Sequence, residues 1–521
     1  MQFTTLNFIF FGFFVLVLYY LIPRKFQWIL LLTASYVFYL SAGVQYLAFI
    51  LFTTLSVYTA ACVIDNRQKK ADLYLKEHKE VLTRDDRKNL KNKAKKENCL
   101  YLTVCIVVNF LILVVCKCSL VEPFRSTLRE GSLSFLSLGL PLGISFYMFQ
   151  SVGYLIDVYR GKATAERNLF KLALFVSFFP QLIQGPISKF SQLAPALYAP
   201  HDYDKKQVSF GLQRILWGYF KKLVVADRIA AAVTALRGPE YGGTGFVLLS
   251  IFYAIQIYCD FTGGIDIAIG LGEAMGIHMP ENFQRPYFSK NIAEYWRRWH
   301  ITLGEWMKDY IFYPVSVSQP MLRLSRICRK KLGSVGKRVP VYIASTITWL
   351  VTGIWHGITP NFLLWGMMNC FVIVVSEELH PLYERFHNHF HWKQKDWYGV
   401  FEILRMFMLM NLIRVCDLFP HVPDYFHRIG SLFTAANFHI LWDGTMLNLG
   451  LSALDYGIIG CSVIVIFLVS LIEEKKGSVR ELLWKKPALR YILCYLLLIV
   501  VLLMGSYGIG YNAGSFIYNQ F

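Results

Sequence analysis

Residues 99–117 read CLYLTVCIVVNFLILVVCK, an apolar run with a single charged residue, Lys117, at its end. A helix that crosses the hydrocarbon core of a bilayer needs roughly 20 mainly apolar residues. The run therefore predicts a transmembrane helix. The segment before it, 65–97, contains KKADLYLKEHKEVLTRDDRKNLKNKAKK. Such lysine-rich segments stay in the cytoplasm, so we expect 65–97 to be cytoplasmic, as a helical hairpin or a mobile loop.

Similar apolar runs recur from one end of the chain to the other. Charged residues make up 17% of the 521 residues, against about 25% in soluble domains. Runs of spanning length lie near 6–22, 28–43, 45–64, 99–117, 139–158, 169–186, 246–272, 341–357, 361–378, 400–419, 447–472 and 489–507. We interpret them as roughly 11 spans with shorter re-entrant or interfacial helices between them. The sequence thus predicts an all-α polytopic membrane protein, whose first run is a span and not a cleaved signal peptide.

The basic loops predict an orientation. Three spans precede 65–97, so we expect the N-terminus outside, the basic stretch 323–338 inside and the C-terminal tail outside. The formal charge of +19 then indicates loops that face anionic lipid headgroups, and not nucleic acid. The eleven cysteines are scattered, and P-loop, H-E-x-x-H and G-x-S-x-G motifs are missing from the sequence. We expect no metal site.

Two histidines in aromatic surroundings are the candidates for chemistry. His300 ends EYWRRWH, inside the segment 281–316, which is too polar to face lipid and too aromatic for an ordinary loop. His356 lies in TWLVTGIWHGITPNFLLWG (348–366), between two apolar runs. An ionisable residue at membrane depth is a functional hypothesis by default, and imidazole takes and returns a proton near neutral pH. A structural histidine, hydrogen-bonded between packed helices, is the open alternative for both.

Charged residues near these histidines predict ion pairs. Glu294 and Arg298 are four residues apart, the spacing at which opposite charges attract on a helix. Asp260 and Asp266 lie inside the apolar run 246–272. We expect these aspartates either to pair with basic side chains or to line a polar cavity.

Five segments resemble the membrane-bound O-acyltransferases, and most closely the branch of the alginate O-acetyltransferases and D-alanyl-lipoteichoic acid transferases. They are LPLGISFYMFQSVGYLIDVYRG (140–161), FFPQLIQGPISKF (178–190), GYFKKLVVADRIA (218–230), RPYFSKNIAEYWRRWHITLGEWMKDYIFYP (285–314) and GIWHGITPNFLLWG (353–366). The resemblance implies a single domain over 1–521, with its motif core at 140–370. It also implies a helical fold in which a funnel on each membrane face leads into a narrow tunnel.

The resemblance also implies site residues and substrates. His356 would be the principal catalytic histidine in the tunnel, and His300 the second, nearer the cytoplasmic funnel. The donor would be a cytoplasmic acyl thioester, either acetyl-CoA or an acyl carrier protein, with no bound cofactor. The acceptor would be a hydroxyl of a cell-surface polysaccharide or of an extracellular acyltransferase partner. Basic side chains that would attract the anionic donor, unless they contact lipid instead, are Lys290, Arg297, Arg298 and Lys308.

The C-terminal tail SFIYNQF (515–521) allows two interpretations. Tyr518 is either an aromatic anchor at the membrane interface or an acyl carrier, since a phenol forms a more reactive ester than an alkyl alcohol does. The tail resembles the family's aromatic ending, although the family more often has Phe where this chain has Asn519. Two other functions stay open. One is D-alanyl transfer to teichoic acid, and the other is glycan or lipid transport, which the lack of a duplicated half-chain disfavours.

Overall fold

The computed structural model describes residues 1–119 and 140–507. Within these ranges every regular element is a helix, apart from one isolated antiparallel bridge between Phe283 and Trp299. The all-helical fold predicted from the sequence is therefore confirmed. Contacts divide the chain into two compact units, and the prediction of a single domain over 1–521 stays a prediction.

The first unit comprises the described residues of Thr5–Gly211 together with Leu271–Pro280. Its helices are α1 (Leu6–Leu21), α2 (Gln27–Leu40), α3 (Leu47–Glu77), α4 (Arg84–Cys118), α5 (Ile144–Tyr159), α6 (Leu169–Ser177), α7 (Phe179–Leu182) and α8 (Phe190–Tyr198). Helix α9 (Lys205–Tyr219) begins in this unit. Its core is aromatic, with Phe38, Tyr39 and Tyr147 fully buried.

The charged segment 65–97 is helical on both sides of a short turn. Helix α3 ends at Glu77 and α4 begins at Arg84. Thr83 caps α4, because its hydroxyl accepts from the Asp86 N–H at 3.2 Å while the Asp86 carboxylate accepts from the Thr83 N–H at 3.3 Å. Of the two predicted forms, the structure therefore shows the helical hairpin and not the loop.

The predicted span 169–186 is wrong as a single helix. It is broken at Phe178, whose ψ of 108° lies outside the helical range, and continues only as α6 and the four-residue α7. The break coincides with Pro180, which lies in the first turn of α7 and has no N–H to bond the Val176 carbonyl, as one continuous helix would require. The break lets the Leu182 carbonyl approach Gly143 so closely that a Cβ there would lie 2.1 Å from the oxygen.

The second unit comprises Leu212–Gly270 and the described residues from Glu281 onward, with three N-terminal residues. Its helices are α10 (Asp227–Leu236), α11 (Thr244–Ala274), α12 (Ile292–Arg298), α13 (Ile301–Met307), α14 (Tyr313–Ser316), α15 (Gln319–Gly336), α16 (Val339–His356), α17 (Pro360–Glu378), α18 (His380–Phe390), α19 (Asp396–Arg414), α20 (Val422–Thr434), α21 (Ala453–Lys476), α22 (Val479–Trp484) and α23 (Pro487–Met504). The aromatic segment 281–316 forms short, interrupted helices, and its interfacial or re-entrant position stays a prediction.

Six helices of the described chain are long and apolar enough to cross a membrane. They are Val44–Glu77, Arg84–Cys118, Thr244–Ala274, Pro360–Glu378, Ala453–Lys476 and Pro487–Met504, and the shorter Leu6–Leu21 is also apolar. The polytopic character predicted from the sequence is thereby confirmed. The count of roughly 11 spans and the funnels with their tunnel stay predictions.

The two aspartates of α11, Asp260 and Asp266, pair with basic side chains. Ion pairing was the first of the two expectations for them. Lys222 lies 2.5 Å from Asp260, while Asp266 lies 2.6 Å from Lys221 and 2.8 Å from Arg214. Both lysines sit in a π-helical turn, Phe220–Ala226, that directs consecutive side chains toward α11. Removing one partner of such a buried pair typically costs about 3–5 kcal/mol, so these pairs hold the turn against α11.

Candidate active site

His300 is held in a strained turn at the start of α13. Its φ is 47°, in the left-handed region that costs a residue other than glycine of order 1–3 kcal/mol. Neighbouring backbone bonds fix the turn: Trp299 bridges Phe283, and the Ile301 N–H donates to the Asn282 carbonyl at 3.0 Å. A strained backbone persists only where its surroundings determine it, which is typical of functional sites.

The side chain of Asn282 fixes which ring nitrogen of His300 carries a proton. Its Oδ1 accepts from the Thr302 N–H at 3.1 Å and from the Thr302 hydroxyl at 2.9 Å, and it lies 3.2 Å from His300 Nδ1. An N–H can only donate, so the amide atom facing Thr302 must be the oxygen. Nδ1 of His300 therefore donates as N–H, and Nε2 carries the lone pair.

The environment of His300 favours the neutral imidazole. The side chain is 2% exposed, and an edge-to-face contact with Phe261 at 4.9 Å covers it. Burial lowers the pKa of His300 to about 3, and the positive charge of Arg414 acts in the same direction. At neutral pH the ring is therefore a neutral hydrogen-bonding group.

His356 is placed by unusually close packing of two helices. It is the last residue of α16 and is 6% exposed. A Cβ on Gly353 of α16 would lie 2.6 Å from the Phe362 carbonyl oxygen, and one on Gly366 of α17 would lie 2.5 Å from the Trp349 carbonyl oxygen. Because only glycine fits at both positions, α16 and α17 approach closely, and the turn between them carries His356.

The two histidines pack against the same indole. The ring centre of Trp355 lies 4.8 Å from that of His356 and 6.0 Å from that of His300. Trp365 contacts His356 edge to face, also at 4.8 Å. The structure thus brings together the two motifs in which the candidate histidines were predicted, inside an aromatic cluster of low polarity.

Arg414 is a buried cation of the same cluster that sequence reasoning missed. Its guanidinium carbon lies 4.8 Å from the ring centre of Trp299 and 5.4 Å from that of Trp365. Asp417 lies 3.7 Å away, and both side chains are 5% exposed. The available signal was the presence of Arg414 and Asp417 near the end of the apolar run 400–419, since ionisable residues in such runs are functional candidates.

Asn361 ties the turn after His356 to the segment that carries Asp417. Its Nδ2 donates to the Asp417 carbonyl at 3.2 Å, and its Oδ1 accepts from the Thr359 hydroxyl at 2.6 Å. The residue is 1% exposed. Neither Asn361 nor Asn282 was predicted, because an asparagine carries no charge to mark it in an apolar sequence.

The four predicted donor-binding cations differ in their surroundings. Three are exposed: Lys290, Arg297 and Lys308. Arg298 is half-buried between carboxylates, 2.8 Å from Glu294 and 2.9 Å from Glu474. The predicted Glu294–Arg298 pair is confirmed, and its charge balance makes Arg298 a weaker anion site than the other three.

The remaining predictions about the site concern a metal and the tail. Within the described ranges, no group of three or more His, Cys, Asp or Glu side chains is arranged to hold a metal ion. Tyr518 lies outside the described residues, so both interpretations of it stay predictions.

Comparison with known proteins identifies the family. The model of MBOAT, the membrane-bound O-acyltransferase family, matches residues 166–326 and 330–419. These ranges contain both histidines of the cluster as well as Asn282 and Arg414. The chain belongs to the membrane-bound O-acyltransferase family, as its motifs suggested.

Curated relatives of the chain transfer different groups. A "probable alginate O-acetylase AlgI" of Pseudomonas syringae is 34% identical over 361 residues, covering 67% of this chain and 61% of that protein. A peptidoglycan O-acetyltransferase of Helicobacter pylori is 28% identical over 343 residues, covering 57% and 62%. A teichoic acid D-alanyltransferase of Bacillus subtilis is 25% identical over 256 residues, covering 48% and 61%. The chain therefore spans about three fifths of the length of these relatives.

Proposed function

We propose that this protein is a multi-pass O-acyltransferase of a bacterial cell membrane. It moves an acyl group, which in this proposal is acetyl, from a cytoplasmic thioester to a hydroxyl of a cell-surface polysaccharide or of a partner protein. The observation that carries the proposal is the pair of buried histidines, His300 and His356, against Trp355. The alginate O-acetylase relatives support acetyl as the group and a polysaccharide as the acceptor.

His356 acts as the base in this proposal. The acceptor hydroxyl oxygen attacks the thioester carbonyl carbon while His356 takes the hydroxyl proton. The carbon–sulfur bond of the resulting tetrahedral species then breaks, the thiolate leaves, and the proton returns to it. The products are an acyl ester and a free thiol. A hydroxyl is a weak nucleophile at neutral pH, which is why the step needs a positioned base.

His300 orients the donor in this proposal and does not carry charge. Its Nδ1–H is held by Asn282, so Nε2 presents a lone pair of defined direction. Such a group can accept a hydrogen bond from an amide N–H of the donor or from the acceptor hydroxyl. Because burial lowers its pKa to about 3, His300 is a weak base and leaves the hydroxyl proton to His356.

The donor is acetyl-CoA or an acyl carrier protein. Both are anionic, and the exposed cations at 290, 297 and 308 would raise their local concentration. Both donors carry the acyl group as a thioester, so the reaction at the histidines is the same for either donor.

The test uses the full-length protein in proteoliposomes with acetyl-CoA on the cytoplasmic side and mannuronate oligosaccharide on the other. Thiol release and labelled acetyl on the oligosaccharide are measured together. We expect turnover by the wild-type protein and none by His356→Ala, with folding near normal. The matched control is His439→Ala, at a histidine whose side chain is 63% exposed. Near-wild-type turnover by folded His356→Ala would show that His356 is not the base of the reaction.

The D-alanyltransferase relative favours one second candidate, D-alanyl transfer from a carrier protein to teichoic acid. Parallel reactions with a D-alanyl-loaded carrier protein and with acetyl-CoA separate the two. Transfer from the loaded carrier alone, with acetyl-CoA inert, would replace the acetyl assignment by the D-alanyl one.

A further inference from the structure

Arg414 carries a full positive charge at a buried position, where a charge costs free energy of desolvation. It ends α19 and is 4% exposed. Moving an ion of this size out of water costs several kcal/mol unless its surroundings compensate. A leucine or methionine would fill the same volume without that cost. Packing alone therefore does not explain why an arginine occupies this buried position.

Those contacts reach both histidine motifs. The guanidinium lies over Trp299, which directly precedes His300, and over Trp365, which packs against His356. The planar, delocalised arginine head stacks on aromatic faces in a way that a lysine ammonium does not.

Two further groups hold the guanidinium in place. It is hydrogen-bonded to the hydroxyl of Tyr295, which itself stacks on Trp299 with ring centres 5.7 Å apart and nearly parallel planes. On its other side lies the carboxylate of Asp417, whose own backbone carbonyl is bound by Asn361. The cation is thus connected to segments that come directly before His300 and directly after His356.

We propose that Arg414 is a positioning residue of the transfer reaction. Its guanidinium holds Trp299 and Trp365 in place, and through these two indoles it sets the separation and orientation of the imidazoles. This inference rests on the proposed function, because the positions of His300 and His356 matter for the rate only if both histidines act in the transfer reaction.

The test replaces Arg414 while keeping its charge. Arg414→Lys retains a cation for Asp417 but loses the plane that stacks on both indoles. A misplacement of about 1 Å in an active site can lower the rate about 10²-fold, so we expect a loss of that order in kcat. The donor KM should stay near the wild-type value, because the loss is confined to the reacting geometry. Thermal stability should stay close to that of the wild type.

A double variant separates positioning from folding. Arg414→Met together with Asp417→Asn removes both charges, so that no buried charge is left without its partner. We expect it to fold and still to show the kcat loss, because the stacked plane is missing. The matched control is Arg490→Lys, at a cation that is 5% exposed and lies 4.2 Å from the ring centre of Trp484. Its kcat should equal that of the wild type.

Wild-type kcat in folded Arg414→Lys, or in the folded double variant, would overturn the proposal. A second readout keeps it testable without turnover: modification of His300 and His356 by diethyl pyrocarbonate, mapped by mass spectrometry. The rates at these two positions should change in Arg414→Lys and not in Arg490→Lys. If wild-type protein shows no turnover with either donor, the proposed function fails, while unchanged modification rates would mean that the positioning proposal fails.

Discussion

Replacing Asn282 by alanine is the most direct test of how the site controls a proton. Its Oδ1 is the shared acceptor of the Thr302 N–H, the Thr302 hydroxyl and His300 Nδ1. The side chain is completely buried, so water does not readily replace the lost oxygen. The substitution therefore leaves donors unsatisfied and frees the imidazole to change its tautomer and its orientation.

The contacts set the expected magnitude. Each buried donor left without a partner costs about 1–3 kcal/mol. With the Thr302 N–H and His300 Nδ1 both affected, we expect a loss of about 2–6 kcal/mol in the free energy of unfolding. A misplacement of about 1 Å in an active site can lower the rate about 10²-fold, and Asn282→Ala frees the orienting imidazole of His300 to move. We therefore expect kcat to fall at least about 10²-fold, which corresponds to about 2.7 kcal/mol in the activation free energy.

The assay measures kcat per folded protein in proteoliposomes, with thermal unfolding in parallel. Asn282→Asp keeps an acceptor oxygen for Nδ1–H, so its kcat should exceed that of Asn282→Ala. The control is Asn109→Ala, which removes an equally buried amide that donates to the Ser56 hydroxyl and the Cys105 carbonyl. The control should lose stability and keep kcat. Wild-type kcat in folded Asn282→Ala would refute the prediction that Asn282 affects kcat by fixing the tautomer and orientation of His300.

Three further predictions concern the pH profile, the donor and the tail. Because burial lowers the pKa of His300 from 6.5 to about 3, His300→Gln should reduce kcat without moving the acid limb of the pH–rate profile. For the same reason the unfolded state binds the proton first, so stability should fall as the pH drops below about 6.5 toward 3, and less so in His300→Gln. The donor KM should rise with salt, less steeply when Lys290, Arg297 and Lys308 are replaced by glutamine; a salt-independent KM would contradict steering. Tyr518→Phe keeps the ring and removes the nucleophile, so it blocks transfer to the acceptor if the tail carries the acyl group; normal transfer would leave the tail an anchor.

The helices of this protein were largely predictable because a bilayer imposes one simple requirement. Apolar runs such as 99–117 and 246–272 lie within helices, α4 and α11, that are long enough to cross. The run 169–186 has the right average composition but contains Pro180, and its helix is broken at Phe178, two residues before the proline. Hydropathy averaged over some twenty residues is hardly changed by one proline. That proline nevertheless lacks the N–H that a continuous helix needs.

The candidate histidines were predictable, whereas the way they meet was not. His300 and His356 stand out by residue type and aromatic neighbours. Their common contact with Trp355 depends on a left-handed turn at His300 and on the glycines that let α16 and α17 approach. Neither feature has a fixed spacing in sequence, since both depend on which surfaces pack together.

Aromatic packing, more than hydrogen bonding, organises this site, and that has a consequence for catalysis. The imidazoles are covered by indole and phenyl rings, which exclude water and lower the local dielectric constant. In such surroundings a fixed charge acts over a longer distance than in water. Burial is the main reason that the pKa of His300 is lowered, and the charge of Arg414 acts in the same direction. The burial of Arg414 makes an error in its position costly, because solvent screens a buried charge much less than an exposed one. A membrane site of this kind is expected to tolerate changes in its apolar walls better than changes in its few buried polar groups.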